Sequence, residues 1–364
     1  MSITDKNSTN TFVTGLSRRS FLQASAAGLG AASLYGLAAG RALAQEGYTL
    51  VLSMRSLSNP YHATFADGGR KFAESVGLPY EILVTEGNSE KGIADVRALL
   101  ARTGGKMVLN IDPNDSPDAR TIVEDCVKAK AYVVTQWNKP DDLHPWDFDP
   151  HYVAHMSFDG VPNGKAMGEA LIETMGGSGG IVALGGILNN VPAIERKLGL
   201  DQAIAANADV KLLDFQAADW NETKAFEIMQ AWITRFGPEI KGVWAANDGM
   251  GIGALEALRQ EGLAGQVPVT GIDGIEAAIA AVKAGEFAGT VAWDPLWTGG
   301  MGMSIAFHSA IGEIDIAREP REHREFYGQG IVLTAATVGS YGSAPALDFK
   351  DFWGKASGQI QYRG

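Results

Sequence analysis

From residue 46 onward, short apolar runs alternate with longer stretches in which apolar residues recur every three or four positions. The short runs fall at 48–54, 80–85, 107–111, 132–136, 153–158, 180–184, 211–216, 242–246, 267–272 and 289–292, most of them bracketed by turn residues. Length and bracketing predict strands. The periodic stretches at 63–76, 90–102, 117–130, 160–175, 192–207, 221–236, 249–261 and 275–284 predict helices. Strands alternating with helices imply an α/β protein whose parallel sheets are flanked by helices on both faces. Ten strands are many for one open sheet in a chain of 364 residues, so two Rossmann-like lobes of five or six strands each are expected.

In such sheets ligands bind beyond the carboxyl ends of the strands. Ser58-Asn59-Pro60-Tyr61 follow the first run, Asp112-Pro113-Asn114-Asp115 the third and Trp137-Asn138 the fourth. Later runs are followed by Trp220, by Asn247-Asp248, by Asp273-Gly274 and by Trp293-Asp294. Planar polar groups and large aromatics therefore recur at the same end of both halves, as they would around a polar cleft walled by aromatic rings. Asn, Asp and Arg offer paired donors and acceptors at the spacing of vicinal hydroxyls, and charge-assisted bonds to hydroxyls are the stronger ones. Indole and phenol faces cover the C–H patches of a sugar ring. An anionic ligand calls for more cations than Arg196 and Arg55 supply. The candidate ligand-binding set is Asn59, Tyr61, Trp137, Asn138, Arg196, Trp220, Asn247, Asp273 and Trp293. A plainer reading competes at several positions: Asn59, Asn247 and Asp273 each precede a helix and could be caps. Tyr61, His62 and Trp137 could be packing residues, and Arg196, beside Glu195, a surface charge.

Composition narrows the class. With 46% hydrophobic and 20% charged residues this is an ordinary globular chain, and its 45 glycines show no Gly-X-Y period. A net charge of −12 argues against a nucleic-acid partner. The single cysteine, Cys126, excludes an internal disulfide and a Cys-rich metal or iron–sulfur site. Gly176-Gly177-Ser178-Gly179-Gly180 precedes a strand instead of joining a strand to a helix, so it reads as a turn and not a phosphate cradle. His151 and His155 lie beside or on an extended run, where four residues span about 13 Å, too far for one metal. No metal and no cofactor are expected.

The first segment reads as an address. Ser17-Arg18-Arg19-Ser20-Phe21-Leu22, a weakly apolar run over 24–39 and Ala42-Leu43-Ala44 resemble a twin-arginine export signal cleaved after about Ala44. A retained N-terminal anchor is the alternative. Segment 1–44 is thus expected to be a signal peptide, and the protein to work in a bacterial periplasm.

Ser58-Asn59-Pro60-Tyr61, Arg196-Lys197-Leu198-Gly199, Ala246-Asn247-Asp248-Gly249-Met250-Gly251, Gly271-Ile272-Asp273-Gly274 and Thr290-Val291-Ala292-Trp293-Asp294-Pro295 together resemble the ribose-binding-protein family of periplasmic sugar-binding proteins, the solute receptors of ABC importers. The resemblance implies the type I periplasmic binding fold, with two lobes joined by three crossing segments near Phe158-Asp159, Ala292-Trp293 and Gly330-Ile331. The first lobe would comprise 46–158 and 293–330, the second 159–292 and 331–364. It implies that Asn59, Arg196, Asn247 and Asp273 bond sugar hydroxyls while Tyr61 and Trp220 stack on the ring. It implies a monomer that is not an enzyme, which captures a small neutral carbohydrate or polyol and delivers it to a membrane permease. Two other roles stay open: a subunit reporting ligand to a membrane sensor, and an exported sugar-modifying enzyme with Asp273 or Asp112 as base. Two departures from the family pattern bear on the ligand. Trp137-Asn138 stands where the ribose type has an adjacent Asp-Arg pair, and Trp293 stands where a polar amide is common. Both favour a ligand with more apolar surface or fewer hydroxyls than ribose.

Overall fold

The computed structural model describes residues 47–342 and 347–362; the expected signal segment 1–44 lies outside the described residues. Among the described residues no helix is long and apolar enough to cross a membrane.

The first lobe holds β1 (Thr49–Met54), β2 (Tyr80–Val84), β3 (Met107–Ile111), β4 (Tyr132–Gln136), β5 (Tyr152–Ser157), β11 (Glu325–Gly328) and β13 (Ile360–Tyr362), in the order β13-β11-β5-β4-β3-β1-β2. The second holds β6 (Gly179–Gly185), β7 (Val210–Ala217), β8 (Ile240–Ala245), β9 (Val269–Thr270), β10 (Phe287–Ala292) and β12 (Ile331–Thr334), in the order β12-β10-β9-β8-β6-β7. Crossovers run through α1 (Pro60–Val76), α2 (Ser89–Thr103) and α3 (Ser116–Ala129) in the first lobe. The second uses α4 (Gly160–Thr174), α5 (Val191–Ala205), α6 (Glu222–Phe236), α7 (Asp248–Gln260) and α8 (Glu276–Ala284). Both sheets are doubly wound, and each reverses direction beside its first strand, β1 or β6, which opens a crevice at the strands' carboxyl ends. Central strands such as β3 are buried along their whole length, as a parallel sheet covered on both faces requires.

The expected strands and helices all form, within a few residues. One long helix was not expected. α9 (Pro295–Ala310) runs through the first lobe with nearly every residue buried. A helix apolar all round carries no one-sided stripe, so no helical period marks it. Its glycines serve contact: a Cβ on Gly299 would stand 1.9 Å from the Phe65 carbonyl oxygen, so α9 and α1 touch backbone to backbone.

The end of the chain corrects two expectations. Strand β12 does join the second sheet, antiparallel to β10. The chain then returns: Phe349 packs edge-on to Phe72 at 5.2 Å, Ser304 Oγ donates to the Phe349 carbonyl at 2.6 Å, and β13 pairs antiparallel with β11. Residues 347–362 thus belong to the first lobe, not the second, and among the described residues the chain passes between the lobes a fourth time instead of three times. The physical reason is a row of aromatics after the last strong strand signal. Phe349, Phe352 and Trp353 need an apolar seat, and α9 with the His323 region provides it: Trp353 stacks on His323 at 4.7 Å and its indole N–H donates to the His323 carbonyl.

Candidate functional site

The carboxyl ends of both sheets face one another across a small cavity. It is lined by Arg55, Asn59, Tyr61, His62, Trp137, Pro192, Arg196, Trp220, Asn247, Asp273 and Trp293. Its cavity volume is about 40 Å³, a tight space between rings and polar groups.

The second lobe supplies the polar floor. Arg196, on the second turn of α5, is buried; its guanidinium donates to the Ala246 carbonyl at 2.7 Å and lies 3.8 Å from the Asp273 carboxylate. It also sits over two indoles, 5.6 Å from the Trp220 ring centre and 5.4 Å from that of Trp293, within cation–π range. Asn247 Nδ2 donates to Asp273 at 3.3 Å while its Oδ1 accepts from the Met250 backbone N–H at 3.0 Å. Burial pushes the Asp273 carboxyl well above the ordinary range; Arg196 opposes this and the neighbouring Asp248 adds to it. Asp248 is itself fully buried. It accepts from Thr290 Oγ1 at 2.7 Å and from the Ile275 N–H at 2.9 Å, so it pins the loop that carries Asp273.

The first lobe supplies rings and one further charge pair. Tyr61 packs edge-on against Trp137 at 5.7 Å and Trp293 at 6.5 Å, and Trp293 stacks flat on Phe158 at 3.7 Å. The Trp293 indole N–H is buried and makes no hydrogen bond among the described residues, a desolvated donor in the pocket wall. Arg55 pairs with buried Asp112 at 2.8 Å, and His62 Nε2 lies 3.4 Å from the same carboxylate.

Three lining residues hold backbone angles that L-residues rarely adopt: Trp137 at φ 55°, Trp220 at φ 61° and Asp273 at φ 145°. Such conformations cost of order 1–3 kcal/mol each and concentrate at sites of function. Trp220 also needs glycine beneath it, since a Cβ on Gly186 would stand 2.0 Å from the indole.

Residues 50–314 match the periplasmic binding protein domain. The ribose import binding protein of Salmonella typhimurium is 33% identical, over 80% of this chain and 93% of its own length. The chain belongs to the ribose-binding family of periplasmic binding proteins. It also matches the xylitol-binding protein of Mycolicibacterium smegmatis, at 39% identity over 47% of this chain and 48% of that one. Among solved structures, a twin-arginine translocation pathway signal protein from Burkholderia phytofirmans shares 55% identity at a TM-score of 0.83, covering 86% of this chain and 99% of the other.

Of the residues singled out in the sequence, Asn59, Tyr61, Trp137, Arg196, Trp220, Asn247, Asp273 and Trp293 line the cavity. Asn138 does not. Its side chain is turned away into Asp112 and the Pro113 carbonyl, at 3.0 and 3.4 Å. At two positions a helix cap and a place in the cavity lining coincide. Asn59 caps α1, accepting from the Tyr61 N–H at 2.9 Å, and Asn247 caps α7, yet both face the pocket. Pro192, at the start of α5, and His62 lie outside the candidate set, although the sequence leaves His62 open as either a site residue or helix packing. Its place one residue after Tyr61 on the turn that follows Asn59 was the available signal.

Proposed function

We propose that the protein captures one small neutral polyhydroxylated molecule, a sugar or polyol, in the inter-lobe cavity and presents it to the permease of an ABC importer. The observation that carries the neutral charge is the pairing of cations. Each arginine in the lining is matched by a buried carboxylate, Arg55 by Asp112 and Arg196 by Asp273. An anionic guest would compete with these carboxylates for the guanidiniums, and a carboxylate left unpaired in a buried position costs several kcal/mol. A neutral guest instead receives fixed donors and acceptors from Asn59, Arg196, Asn247 and Asp273. Its C–H faces rest on Tyr61, Trp137, Trp220 and Trp293. The indoles at 137 and 293 favour a guest with fewer hydroxyls to satisfy than ribose. Export into a periplasm, through the leader at 1–44, places the receptor where an importer would use it.

The test is a thermal-shift screen with D-ribose, D-allose, xylitol and gluconate. A neutral member should raise the melting temperature by an amount growing with the logarithm of its concentration, and it should change indole fluorescence. Stabilisation by gluconate alone would overturn the neutral reading. Release of a product from any bound compound would overturn the receptor reading in favour of an enzyme.

A further inference from the structure

Two asparagines outside the cavity form a reciprocal fastening between the lobes. Asn190 stands at the cap position of α5, where an asparagine side chain ordinarily accepts from its own helix. It makes no such bond. Instead its Nδ2 donates across the cleft to the Asn114 carbonyl at 3.1 Å, and its Oδ1 accepts from the Trp220 indole N–H at 2.9 Å. The cap it leaves unmade comes from the opposite lobe. Asn138 Oδ1 accepts from the Val191 N–H, the first of α5, at 3.2 Å, while Asn138 Nδ2 donates to Asp112 at 3.0 Å. Both asparagines are fully buried, and neither is among the residues lining the cavity.

We infer that Asn138 and Asn190 are positioning residues that set the balance between open and closed cleft, and that they tie closure to the shape of the pocket. The helix that carries Arg196 has one of its orphan N–H groups satisfied from the facing lobe only when the cleft is shut. In an open cleft that N–H and Asn138 Oδ1 face water. The same closure fixes Asn190, and Asn190 holds the Trp220 indole in the pocket wall. Closure and the ring surface offered to a guest are therefore one event. A protein with two such states responds to a guest by the difference in affinity between them, and these bonds set the starting population. The fastening explains why Asn138, which follows a strand like the other candidates, points away from the cavity.

The inference rests on the two-lobed receptor reading only for its consequence on affinity, so the experiment has two arms. In the first, spin labels on Glu124→Cys of α3 and Glu227→Cys of α6, both exposed, report the interlobe distance in the protein without added sugar; native Cys126 is buried. Asn138→Ala and Asn190→Ala, separately, should move the distribution to longer distances, with the open fraction rising about fivefold for the one interlobe hydrogen bond lost at each site. In the second, D-ribose and xylitol are titrated by rapid mixing. Both variants should dissociate a bound sugar faster, with the association rate nearly unchanged, as expected for contacts made after capture. Asn190→Ala should in addition lose much of the indole fluorescence change, because Trp220 is released. Distance distributions identical to the parent protein's in both variants would overturn the inference, whatever the sugars do. Should Asn138→Ala fail to fold, Asn190→Ala decides. Absence of binding by either sugar, with the distances shifted as expected, would count against those sugars as guests and leave the fastening supported.

Discussion

The two walls of the cavity do different work. The second-lobe wall is a polar lattice around one buried charge pair: Arg196 faces Asp273 and donates to the Ala246 carbonyl, Asn247 donates to Asp273, and Asp248 holds the loop beneath them. The first-lobe wall is mainly a stack of rings, with Tyr61, Trp137 and Phe158 packed into each other and into Trp293 at the crossing between lobes. Polar bonds are directional and fail if a guest's hydroxyl is missing or misplaced. Ring faces tolerate a change of guest so long as its shape is kept. The comparison teaches that the second lobe should decide which hydroxyl pattern is accepted and the first lobe how tightly a fitting guest is covered.

The largest effect is expected from Asp273→Asn. The change removes the carboxylate's charge and turns one of its two acceptor oxygens, which face Arg196 and Asn247 separately, into a donor, so the buried guanidinium loses its counter-charge. Affinity for a neutral guest should fall by about 2 kcal/mol, roughly 30-fold, measured by calorimetric titration. Stability should move the other way at high pH. Burial raises the Asp273 and Asp248 carboxyls in the folded state above their unfolded values. The unfolded chain therefore gives up these protons first, and folded stability is lost as pH climbs from about 4 toward neutrality and beyond. Asp273→Asn should flatten that decline, so that its melting temperature gains on the parent protein's as pH rises. A variant that binds normally would remove Asp273 from the site; one whose pH profile is unchanged would remove the buried charge from the account of stability.

Trp293→Phe tests the ring wall at the point where both lobes meet. The smaller ring can keep the flat contact with Phe158 but loses the unpartnered N–H and part of the surface under Arg196. Affinity should fall by about 1 kcal/mol for every neutral guest alike, and the ranking among sugars should be preserved. A changed ranking would mean that the indole N–H itself reads a hydroxyl, and that the division between the two walls is wrong.

The same contrast runs through what the sequence disclosed. Residues that close a strand with a planar polar group were legible, because the parallel sheet rule says where such groups point: Asn247 and Asp273 sit where their strands end. Rings could be placed at the cleft but not oriented, since neither hydrophobic period nor turn residues mark the positive φ of Trp137 and Trp220. Asn138 had the right position and the wrong direction, for its partner Val191 lies in the facing lobe. Helix α9 and the returning tail went unread for opposite reasons. The helix is buried on every side and shows no polar face, whereas the tail is short strands and turns whose aromatic anchors find their seat only once the first lobe exists.

The smallest effect separates two duties of one side chain. Asn59 Oδ1 caps α1 through the Tyr61 N–H, leaving Nδ2 for the cavity. Serine also caps well but offers no amide donor at that reach. Asn59→Ser should therefore leave the melting temperature of the sugar-free protein within a degree or two, while affinity drops a few-fold, about 1 kcal/mol for one neutral hydrogen bond. Because Asn59 is the one amide on the ring-lined wall, the loss should be confined to guests carrying a hydroxyl on that face; a deoxy analogue at that carbon should bind parent and variant equally. Equal losses for sugar and deoxy analogue would show that Asn59 acts through the helix it caps and not through the guest, and the first-lobe wall would then offer rings and the Arg55 pair but no amide.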